Sequence, residues 1–348
     1  MIKIAKRSIG INYKPFIIAE ISGNHKGSLN RALKIIKEAK KIGVSAVKLQ
    51  TFDLNEMTLN SKRNFFKIND LTSPWNGRSL YDLYSEAITP KKWHQKIFNF
   101  ANKNKIICFS SVFDLISLKY LEKINCPAYK IASFENNHYP LIEAVAKTGK
   151  PVIISTGMTK LKDIKDVVKI FKKVKNKNFA LLKCTSSYPA DPSSSNLKSI
   201  ELLRKKFKCE IGLSDHTKGI GAAVASVAFG ATIIEKHLVL KEGDGSIDKD
   251  FSLAPKEFGL LVKETNAAWK ALGIKKIVVD KTELLNSKLK RSIFVIKKIK
   301  KGEKITYKNV KVIRPGHGLH PKYFKKILGR TAKKMISEGT PLKLNLTR

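Results

Sequence analysis

Eight short apolar runs recur along the chain up to residue 238, and helical stretches separate them. Runs of this length between amphipathic helices are typical of a parallel sheet that is buried on both faces. Eight of them predict a closed (β/α)8 TIM barrel, an α/β fold. In chain order the runs are FIIAEIS (16–22), SAVKLQ (45–50), IICFSSV (106–112), AYKIAS (128–133), PVIISTG (151–157), FALLKCTS (179–186), EIGLSDH (210–216) and ATIIEKHL (231–238).

Polar and potentially reactive side chains stand at the carboxyl ends of these runs. A TIM barrel collects its active site at that end of its strands. A purely structural barrel would not need two carboxylates, two lysines and two histidines around one rim, so the pattern predicts an enzyme. The residues are Glu20, Lys48, Gln50, Ser111, Lys130, Ser133, Thr185, Asp215, His216 and His237.

The composition argues against several broad classes of protein. A hydrophobic content of 43% is ordinary for a globular chain of 348 residues. We expect no membrane partner and a cytoplasmic location, because no apolar stretch is long enough to span a bilayer and the segment MIKIAKRSIG lacks the apolar core of a secretory signal. The four cysteines contain no Cys-x-x-Cys pair, which predicts buried reduced thiols rather than a disulfide or a zinc site.

The formal net charge of +40 raises the alternative of a protein that binds nucleic acid or an anionic membrane. The excess is almost all lysine, with only nine arginines, and it is spread from end to end on polar helix faces such as KIIKEAKK. A solvated surface is the simpler interpretation. We therefore expect no nucleic-acid partner, and the charge could instead concentrate small anionic substrates near the protein.

The pattern along the chain predicts two domains. A helix at 28–42 begins at Ser28 as its N-cap and ends at Gly43. The connection 51–89 is long enough to predict a functional loop or lid. A helix at 255–272 completes the barrel. After it the sequence pattern changes to short β-like segments separated by turn residues. The predicted boundaries are a catalytic barrel at 1–273, a linker at 274–287 and a small domain at 288–348.

A pair of histidines, His216 and His237, ends the seventh and eighth runs, with Asp215 and Glu235 nearby in sequence. These two strands are neighbours in a barrel, so both imidazoles can face one ion. Two histidines with oxygen donors suit Mn²⁺ or Co²⁺ better than Mg²⁺. The alternative is two rim histidines that only form hydrogen bonds with the backbone.

Lysines and short hydroxyl side chains form a second set at the strand ends. Lysine combined with hydroxyl donors can bind a phosphate and a carboxylate together. Lys48 and Lys130 interrupt otherwise apolar strands, where an unpaired charge is costly to bury. Chance remains the alternative in a lysine-rich chain. The set is Lys48, Gln50, Ser111, Lys130, Ser133, Thr185, Ser186 and Ser214.

Glu20 ends the first run, next to Asn24 and His25. Its carboxylate faces the same mouth and could hold or deprotonate a hydroxyl group or a water molecule. The alternative for Asn24 and His25 is that they only shape the loop.

Six motifs in order resemble the sialic acid synthase family: AEISGNH, AVKLQT, YKIASFENNHYPLI, LLKCTSSYP, GLSDHT and EKH. The resemblance covers nearly the whole chain, including RSIFVIKKIKKGE and VIRPGHGL near its end. It implies a metal-dependent TIM barrel followed by a small C-terminal antifreeze-like (SAF) domain. Two further motifs, WNGRSLYDLY and KIASFEN, are more similar to the pseudaminic acid branch than to the N-acetylneuraminate branch.

The resemblance implies an enzyme that condenses phosphoenolpyruvate with an acetamido-deoxy sugar, using a divalent metal, Mn²⁺ before Co²⁺ or Mg²⁺. It implies that His216 and His237 bind the metal. Around phosphoenolpyruvate it implies Lys48, Gln50, Ser111, Lys130, Ser133, Ser186 and Ser214. Facing the sugar or the attacking water it implies Glu20, Glu135, Tyr188 and Asp248, with Lys130 as a further catalytic group. It also implies a domain-swapped homodimer, in which Arg314 reaches the acetamido group in the partner's barrel.

Two departures from the family's pattern concern Ser111 and Asp248. The third run ends in SSVFD, where the family tends to have Thr and Pro after the first Ser. The loop GDGSIDKDFS keeps Asp248 but lacks the Gly-Pro that usually precedes it.

Three alternative functions remain open from the sequence. A related branch of the family would make N-acetylneuraminic or legionaminic acid. A Schiff-base aldolase would use Lys130 or Lys48 as its nucleophile. The third alternative is the basic nucleic-acid-binding protein, against which the absence of clustered arginines argues.

Overall fold

The computed structural model of the chain describes residues 1–71 and 73–348. They divide into two compact units, Met1–Gly273 and Ile274–Arg348, and each unit has its own apolar core. Within these residues, no helix combines the length and the hydrophobicity that a membrane crossing requires.

Twelve strands and twelve α-helices lie in the described residues. The strands are β1 (Ile2–Ile4), β2 (Arg7–Ile9), β3 (Phe16–Glu20), β4 (Ala46–Thr51), β5 (Ile107–Val112), β6 (Tyr129–Ile131), β7 (Val152–Ser155), β8 (Phe179–Cys184), β9 (Glu210–Asp215), β10 (Ile233–His237), β11 (Ser292–Val295) and β12 (Val310–Ile313). The helices are α1 (Leu29–Lys41), α2 (Leu54–Met57), α3 (Leu80–Ala87), α4 (Lys91–Lys103), α5 (Leu115–Lys123), α6 (Tyr139–Lys147), α7 (Leu161–Lys173), α8 (Ser199–Phe207), α9 (Gly221–Ala228), α10 (Pro255–Ala271), α11 (Lys281–Asn286) and α12 (Phe324–Ile327).

Strands β3 to β10 form a closed parallel barrel, which confirms the predicted TIM barrel. Each predicted run contains one of these strands, or all but the last residue of one. The strands consist almost wholly of buried residues, because one face packs inside the barrel and the other packs against the surrounding helices. The barrel closes between β10 and β3, where His237 lies opposite Glu20. The carboxyl ends of the first and last strands therefore meet at one mouth.

Helix α1 illustrates how local sequence sets an element's bounds. The predicted N-cap, Ser28, accepts a hydrogen bond from the backbone N–H of Arg31 (3.3 Å). Gly43, just beyond the helix, has a φ of 83°, a conformation that glycine adopts without strain. The predicted helix 28–42 is therefore observed as Leu29–Lys41.

An antiparallel hairpin of β1 and β2 precedes the barrel and was not predicted. Ile2, Ile4 and Ile9 are buried in the barrel's core cluster. The Met1 amino group lies 2.9 Å from Glu210, the first residue of β9. The hairpin therefore lies at the amino end of the barrel, away from the mouth where the strands end.

The long connection at 51–89 contains two short helices, α2 and α3, and a 3-10 turn at Asn64–Phe66. Its aromatic residue Trp75 lies against the mouth of the barrel through contacts described below. That the connection 51–89 is a functional loop or lid stays a prediction.

The second unit is built around the antiparallel pair β11 and β12, with a core that includes Ile293, Val295, Ile299 and Ile305. The segment 274–287, predicted as a linker, belongs to this unit and contains α11. Several of its apolar side chains, such as Ile277 and Val278, are exposed. Arg314 follows β12 and is exposed.

Candidate active site

Four buried charged residues lie together inside the mouth of the barrel: Glu20, Lys48, Lys130 and Glu235, here called the inner cluster. Lys48 forms an ion pair with Glu20, and its Nζ lies 3.8 Å from Oε1 of Glu235. The Nζ of Lys130 lies 3.3 Å from the same Oε1. Strand geometry explains the grouping, since Glu20 is in register with Lys48 on β4 and with His237 on β10.

The electrostatics of the inner cluster keep Glu235 ionised. Burial opposes the charged form of Glu235, but Lys130 and Lys48 lower its pKa to about 2. Burial alone would lower the pKa of Lys48, yet Glu20 and Glu235 raise it above its ordinary value. Burial is the dominant influence on Lys130 and lowers its pKa. The ammonium groups of Lys48 and Lys130 can therefore contact a bound anion while they keep their contacts with the two carboxylates.

Hydroxyl groups surround the two lysines. Lys48 donates to Oγ of Ser111 (2.8 Å), and Lys130 donates to Oγ of Ser155 (2.7 Å). Ser214 donates to Oε1 of Glu235 (3.2 Å). Because hydroxyl groups can turn their protons toward a phosphate or a carboxylate, this arrangement can bind an anion.

Ser133 and Ser186 approach each other next to Gly157. Oγ of Ser133 accepts a hydrogen bond from the N–H of Gly157 (3.1 Å). A Cβ atom at position 157 would overlap with the Oγ atoms of both serines. Only glycine therefore lets the ends of β6, β7 and β8 place these hydroxyls and a backbone N–H side by side.

The two histidines face each other at the same mouth, with ring centroids 5.5 Å apart. Metal–nitrogen bonds of about 2.1 Å to one shared ion would put the centroids about 5 Å apart. Nδ1 of His216 lies 3.0 Å from the carbonyl oxygen of Thr185. If Nδ1 carries the proton and donates it there, Nε2 is left as a free lone pair for a metal.

Asp248 lies beside His237, with Oδ2 3.6 Å from Nδ1 of the ring. Burial would raise the pKa of Asp248, but His237 holds it below its ordinary value. Both of these atoms are buried and have no hydrogen-bond partner among the described residues. Buried polar atoms without a partner fit a site in which a divalent ion and its water ligands would supply the missing contacts.

The protein's own donors do not form a closed metal site. Within residues 1–71 and 73–348, no group of three or more His, Cys, Asp and Glu side chains has an arrangement that could hold an ion. Two imidazoles alone would leave most coordination positions to substrate and water.

Glu135 follows β6 and is half-buried at the mouth. Burial raises its pKa to about 7, against the opposing influence of Lys130. A carboxyl group with this pKa exchanges protons readily at neutral pH, so Glu135 can act as a general acid or base.

Aromatic side chains border the histidine pair. Tyr188 lies 4.5 Å from His216, and Phe251 lies 4.8 Å from His237, measured between ring centroids. Trp75, from the long connection, lies 5.6 Å from Tyr188. The predicted sugar-facing residue Tyr188 is therefore beside the predicted metal ligands.

Asp215 does not belong to this group, although the sequence placed it on the rim. Lys236 donates to Oδ2 of Asp215 (2.7 Å) and to the carbonyl oxygen of Thr217 (2.6 Å). Oδ1 of Asp215 accepts from the N–H of Thr217 (2.9 Å). Alternation along β9 and β10 places this pair, here called the outer pair, on the face that packs against helices.

Other rim residues have structural partners. Asn24 donates to the carbonyl oxygen of Leu238 (3.0 Å), and His25 lies 3.2 Å from Oγ1 of Thr89. Burial lowers the pKa of His25 to about 4. These contacts favour the loop-shaping alternative for both residues. The side chain of Thr185 donates to the carbonyl oxygen of Ser194 (3.1 Å).

For Gln50 and Arg314 the structure gives a position but no side-chain contact with the site among the described residues. Gln50 is half-buried and lies in register with Ser111, at the ends of β4 and β5. Arg314 belongs to the second unit, so its predicted role stays a prediction.

The sequence placed Glu235 near the histidine pair but did not indicate its contacts with the lysines, and it indicated no role for Ser155, Trp75 or Phe251. Glu235 precedes His237 by two residues on one strand, so the two side chains share a face. That spacing was a usable signal. Ser155 ends the fifth strand in the same way. Trp75 and Phe251 come from loops, where no periodicity indicates direction.

The fold and the site together define a (β/α)8-barrel enzyme whose mouth can bind an anion beside two histidines. The chain belongs to the NeuB family. The NeuB family model matches residues 35–277, and the SAF domain model matches residues 290–346.

Several curated relatives match over almost the whole chain. A pseudaminic acid synthase from Campylobacter jejuni is 45% identical over 330 residues, which cover 95% of this chain and 96% of the relative. A pseudaminic acid synthase from Helicobacter pylori is 40% identical and covers 94% and 96%. An N,N'-diacetyllegionaminic acid synthase from C. jejuni is 35% identical, covering 93% of this chain and 98% of the relative.

Solved structures agree with this family. An N-acetylneuraminic acid synthetase from Leptospira borgpetersenii has a TM-score of 0.74 at 35% identity, covering 82% of this chain and 94% of that one. The SpsE protein of Bacillus subtilis has a TM-score of 0.67 at 30% identity, covering 99% and 98%.

Proposed function

We propose that this protein condenses phosphoenolpyruvate with 2,4-diacetamido-2,4,6-trideoxy-altrose and water, giving pseudaminic acid and phosphate. The observation that carries the proposal is the inner cluster of buried lysines next to the facing histidines. The relatives named pseudaminic acid synthase at 40% and 45% identity support the choice of sugar.

Lys48 and Lys130 hold phosphoenolpyruvate in this proposal. Each lysine already contacts a serine hydroxyl and a carboxylate, so its orientation is fixed before the anion arrives. Prearranged cations stabilise charge without reorganisation when the reaction occurs. The hydroxyls of Ser133 and Ser186 and the N–H of Gly157 lie together as further donors.

The bonds of the reaction balance without an external oxidant or reductant. C3 of phosphoenolpyruvate bonds to the aldehyde carbon of the open sugar, which leaves positive charge at C2. Water adds to C2, and the bond from C2 to the phosphate oxygen breaks. The carboxylate of Glu20 orients the water and stabilises the charge, while Glu135 exchanges a proton with the sugar near neutral pH.

His216 and His237 would hold a divalent ion, Mn²⁺ first, with Co²⁺ or Mg²⁺ as alternatives. When bound, the ion supplies Lewis-acid polarisation of the sugar's aldehyde oxygen. His237 lowers the pKa of Asp248, so a carboxylate faces that ring at 3.6 Å.

A domain-swapped homodimer is part of the proposal. The segment 274–287 exposes Ile277, Val278 and Val279, which supports a covering partner. Arg314 would then reach the acetamido group in the partner's barrel. Mixing an inactive R314A protein with an inactive H237A protein tests this arrangement. Recovered activity in the mixture supports exchange between subunits, and a mixture as inactive as its components contradicts it.

We also propose a cytoplasmic location, which is supported by the four free cysteines. The second candidate function is another branch of the family, supported by the legionaminic relative at 35% identity. A Schiff-base mechanism is disfavoured, because Lys48 and Lys130 are both engaged by Glu235.

The deciding experiment measures phosphate release from phosphoenolpyruvate with Mn²⁺ and a panel of acetamido sugars. We expect the diacetamido-trideoxy-altrose to give the highest kcat/KM. Higher kcat/KM with the sugar of the neuraminic or legionaminic branch would assign the chain to that branch. In ¹⁸O-water the label should enter the sugar acid and not the phosphate; labelled phosphate would contradict cleavage of the C–O bond.

A further inference from the structure

Four aromatic residues pack against one another beside the histidine pair: Trp75, Phe134, Tyr188 and Phe251, here called the aromatic wall. Phe251 is buried, so the other three rings carry the exposed part of the wall. Tyr188 lies at its centre, with ring centroids 5.1 Å from Phe251, 5.6 Å from Trp75 and 6.5 Å from Phe134. Trp75 also meets Phe251 at 6.2 Å. The wall joins three loops and the long connection 51–89 at one side of the mouth.

The wall extends from the histidines toward solvent. Tyr188 and Phe251 contact the two imidazoles, whereas Phe134 at the outer end is 59% exposed. A sugar whose aldehyde lies at the histidines can therefore extend its other carbons along these rings.

The wall offers little hydrogen bonding to such a sugar. The indole N–H of Trp75 already donates to the carbonyl oxygen of Ile247 (3.1 Å). The hydroxyl of Tyr188 forms a hydrogen bond with Ser186, and the two phenylalanines have no polar atom. A sugar hydroxyl pressed against these rings would lose its hydrogen bond to water, whereas a methyl group would gain apolar contact.

We propose that Trp75 is a specificity-determining residue that selects a sugar with a methyl group at C6 over one with a hydroxymethyl group. This inference deepens the proposed function and depends on it for the sugar class. An apolar surface rejects an added hydroxyl by about 100-fold at most, so selectivity on the order of 10- to 100-fold is expected.

Trp75 has a second contact that the test must separate. Ile247 precedes Asp248, and its side chain occupies the space beside Gly23, so the Trp75 hydrogen bond holds the Asp248 loop. Trp75→Phe keeps an aromatic face but removes the N–H. Trp75→Ala removes both. Trp269 lies on α10 with its own N–H bonded to Ile11 (3.2 Å), and Trp269→Phe serves as the matched control.

The kinetic test compares two diacetamido sugars that differ only in a methyl or hydroxymethyl group at C6. In the parent enzyme and in W269F, kcat/KM should favour the methyl sugar by 10- to 100-fold. W75A should reduce this ratio to below threefold, mainly by raising KM for the methyl sugar. W75F should keep most of the ratio even if both rates fall together. An unchanged ratio in W75A would overturn the inference.

A binding test separates this inference from the proposed reaction. In the variant W93F/W269F, Trp75 is the remaining tryptophan. The methyl sugar should change its fluorescence and bind more tightly than the hydroxymethyl sugar. Selective binding without phosphate release would retain the inference and reject the reaction. Phosphate release with equal affinities and no change in Trp75 emission would retain the reaction and reject the inference.

Discussion

The inner cluster and the outer pair are two groups of buried charges that meet at strand β10, which carries Glu235 of the first and Lys236 of the second. In the outer pair, Lys236 and Asp215 bind each other and the backbone of Thr217. In the inner cluster, Glu235 shares Oε1 with two lysines, while its Oε2 is buried without a hydrogen-bond partner among the described residues. Unused hydrogen-bonding capacity, rather than burial or charge, distinguishes the group that can take a ligand.

The largest expected effect comes from the histidine pair. His237→Ala should lower kcat by more than 100-fold and reduce bound manganese per subunit, because one of the two proposed metal ligands is lost. Metal content by elemental analysis and phosphate release measure the two effects. His138→Ala, on an exposed loop, is the control. A near-native H237A enzyme would favour histidines that serve only structure.

A lysine of the inner cluster should matter for binding. Lys130→Met should raise the KM for phosphoenolpyruvate by about 100-fold, since a charge-assisted contact inside a buried site is lost. Calorimetric titration with phosphoenolpyruvate alone checks the binding step. Unchanged affinity would remove Lys130 from the anion site.

A lysine of the outer pair should show the opposite pattern. Lys236→Met leaves the carboxylate of Asp215 buried without its cation, which should cost about 3–5 kcal/mol of unfolding free energy. Activity per folded molecule should stay within about twofold. Urea denaturation and active-site titration separate the two quantities. A K236M enzyme that is stable but inactive would show that the outer pair serves activity, and would contradict the distinction between the two groups.

The smallest effect is a pH dependence caused by Glu135. Its pKa is about 7 in the folded protein and near 4.5 when exposed, so the folded state binds more protons between these values. Stability should therefore fall as pH rises from about 4.5 to 7, by up to about 3 kcal/mol. Glu135→Gln should remove that share of the pH dependence. Denaturation curves at pH 5 and 8 give the change in unfolding free energy with pH for each protein. An equal change in the parent and in Glu135→Gln would contradict the prediction.

The sequence was sufficient for the barrel because apolar runs and helix caps are local signals. It was also sufficient to place Lys48, Lys130, His216 and His237 at one mouth, because the carboxyl ends of parallel strands meet whatever the loops do. It was not sufficient to separate Asp215 from the mouth. Two successive residues on a strand point to opposite faces, so a position at a strand end does not by itself define a direction.

Loop residues were harder to place than strand residues. The aromatic wall combines Trp75 with Phe251, which lie far apart in the chain and contact each other through tertiary structure alone. The hairpin of β1 and β2 was missed because each strand has only three residues, too few for an alternation to be recognised.

Gly157 has a consequence for how sugar preference can diverge in a scaffold of this kind. A Cβ atom there would overlap with the hydroxyls of Ser133 and Ser186, so these side chains would have to move. The group of donors proposed for phosphoenolpyruvate therefore tolerates little change at this position. Variation is left to the connections that carry Trp75, Tyr188 and Phe251, so one reaction can be retained while the second substrate is exchanged.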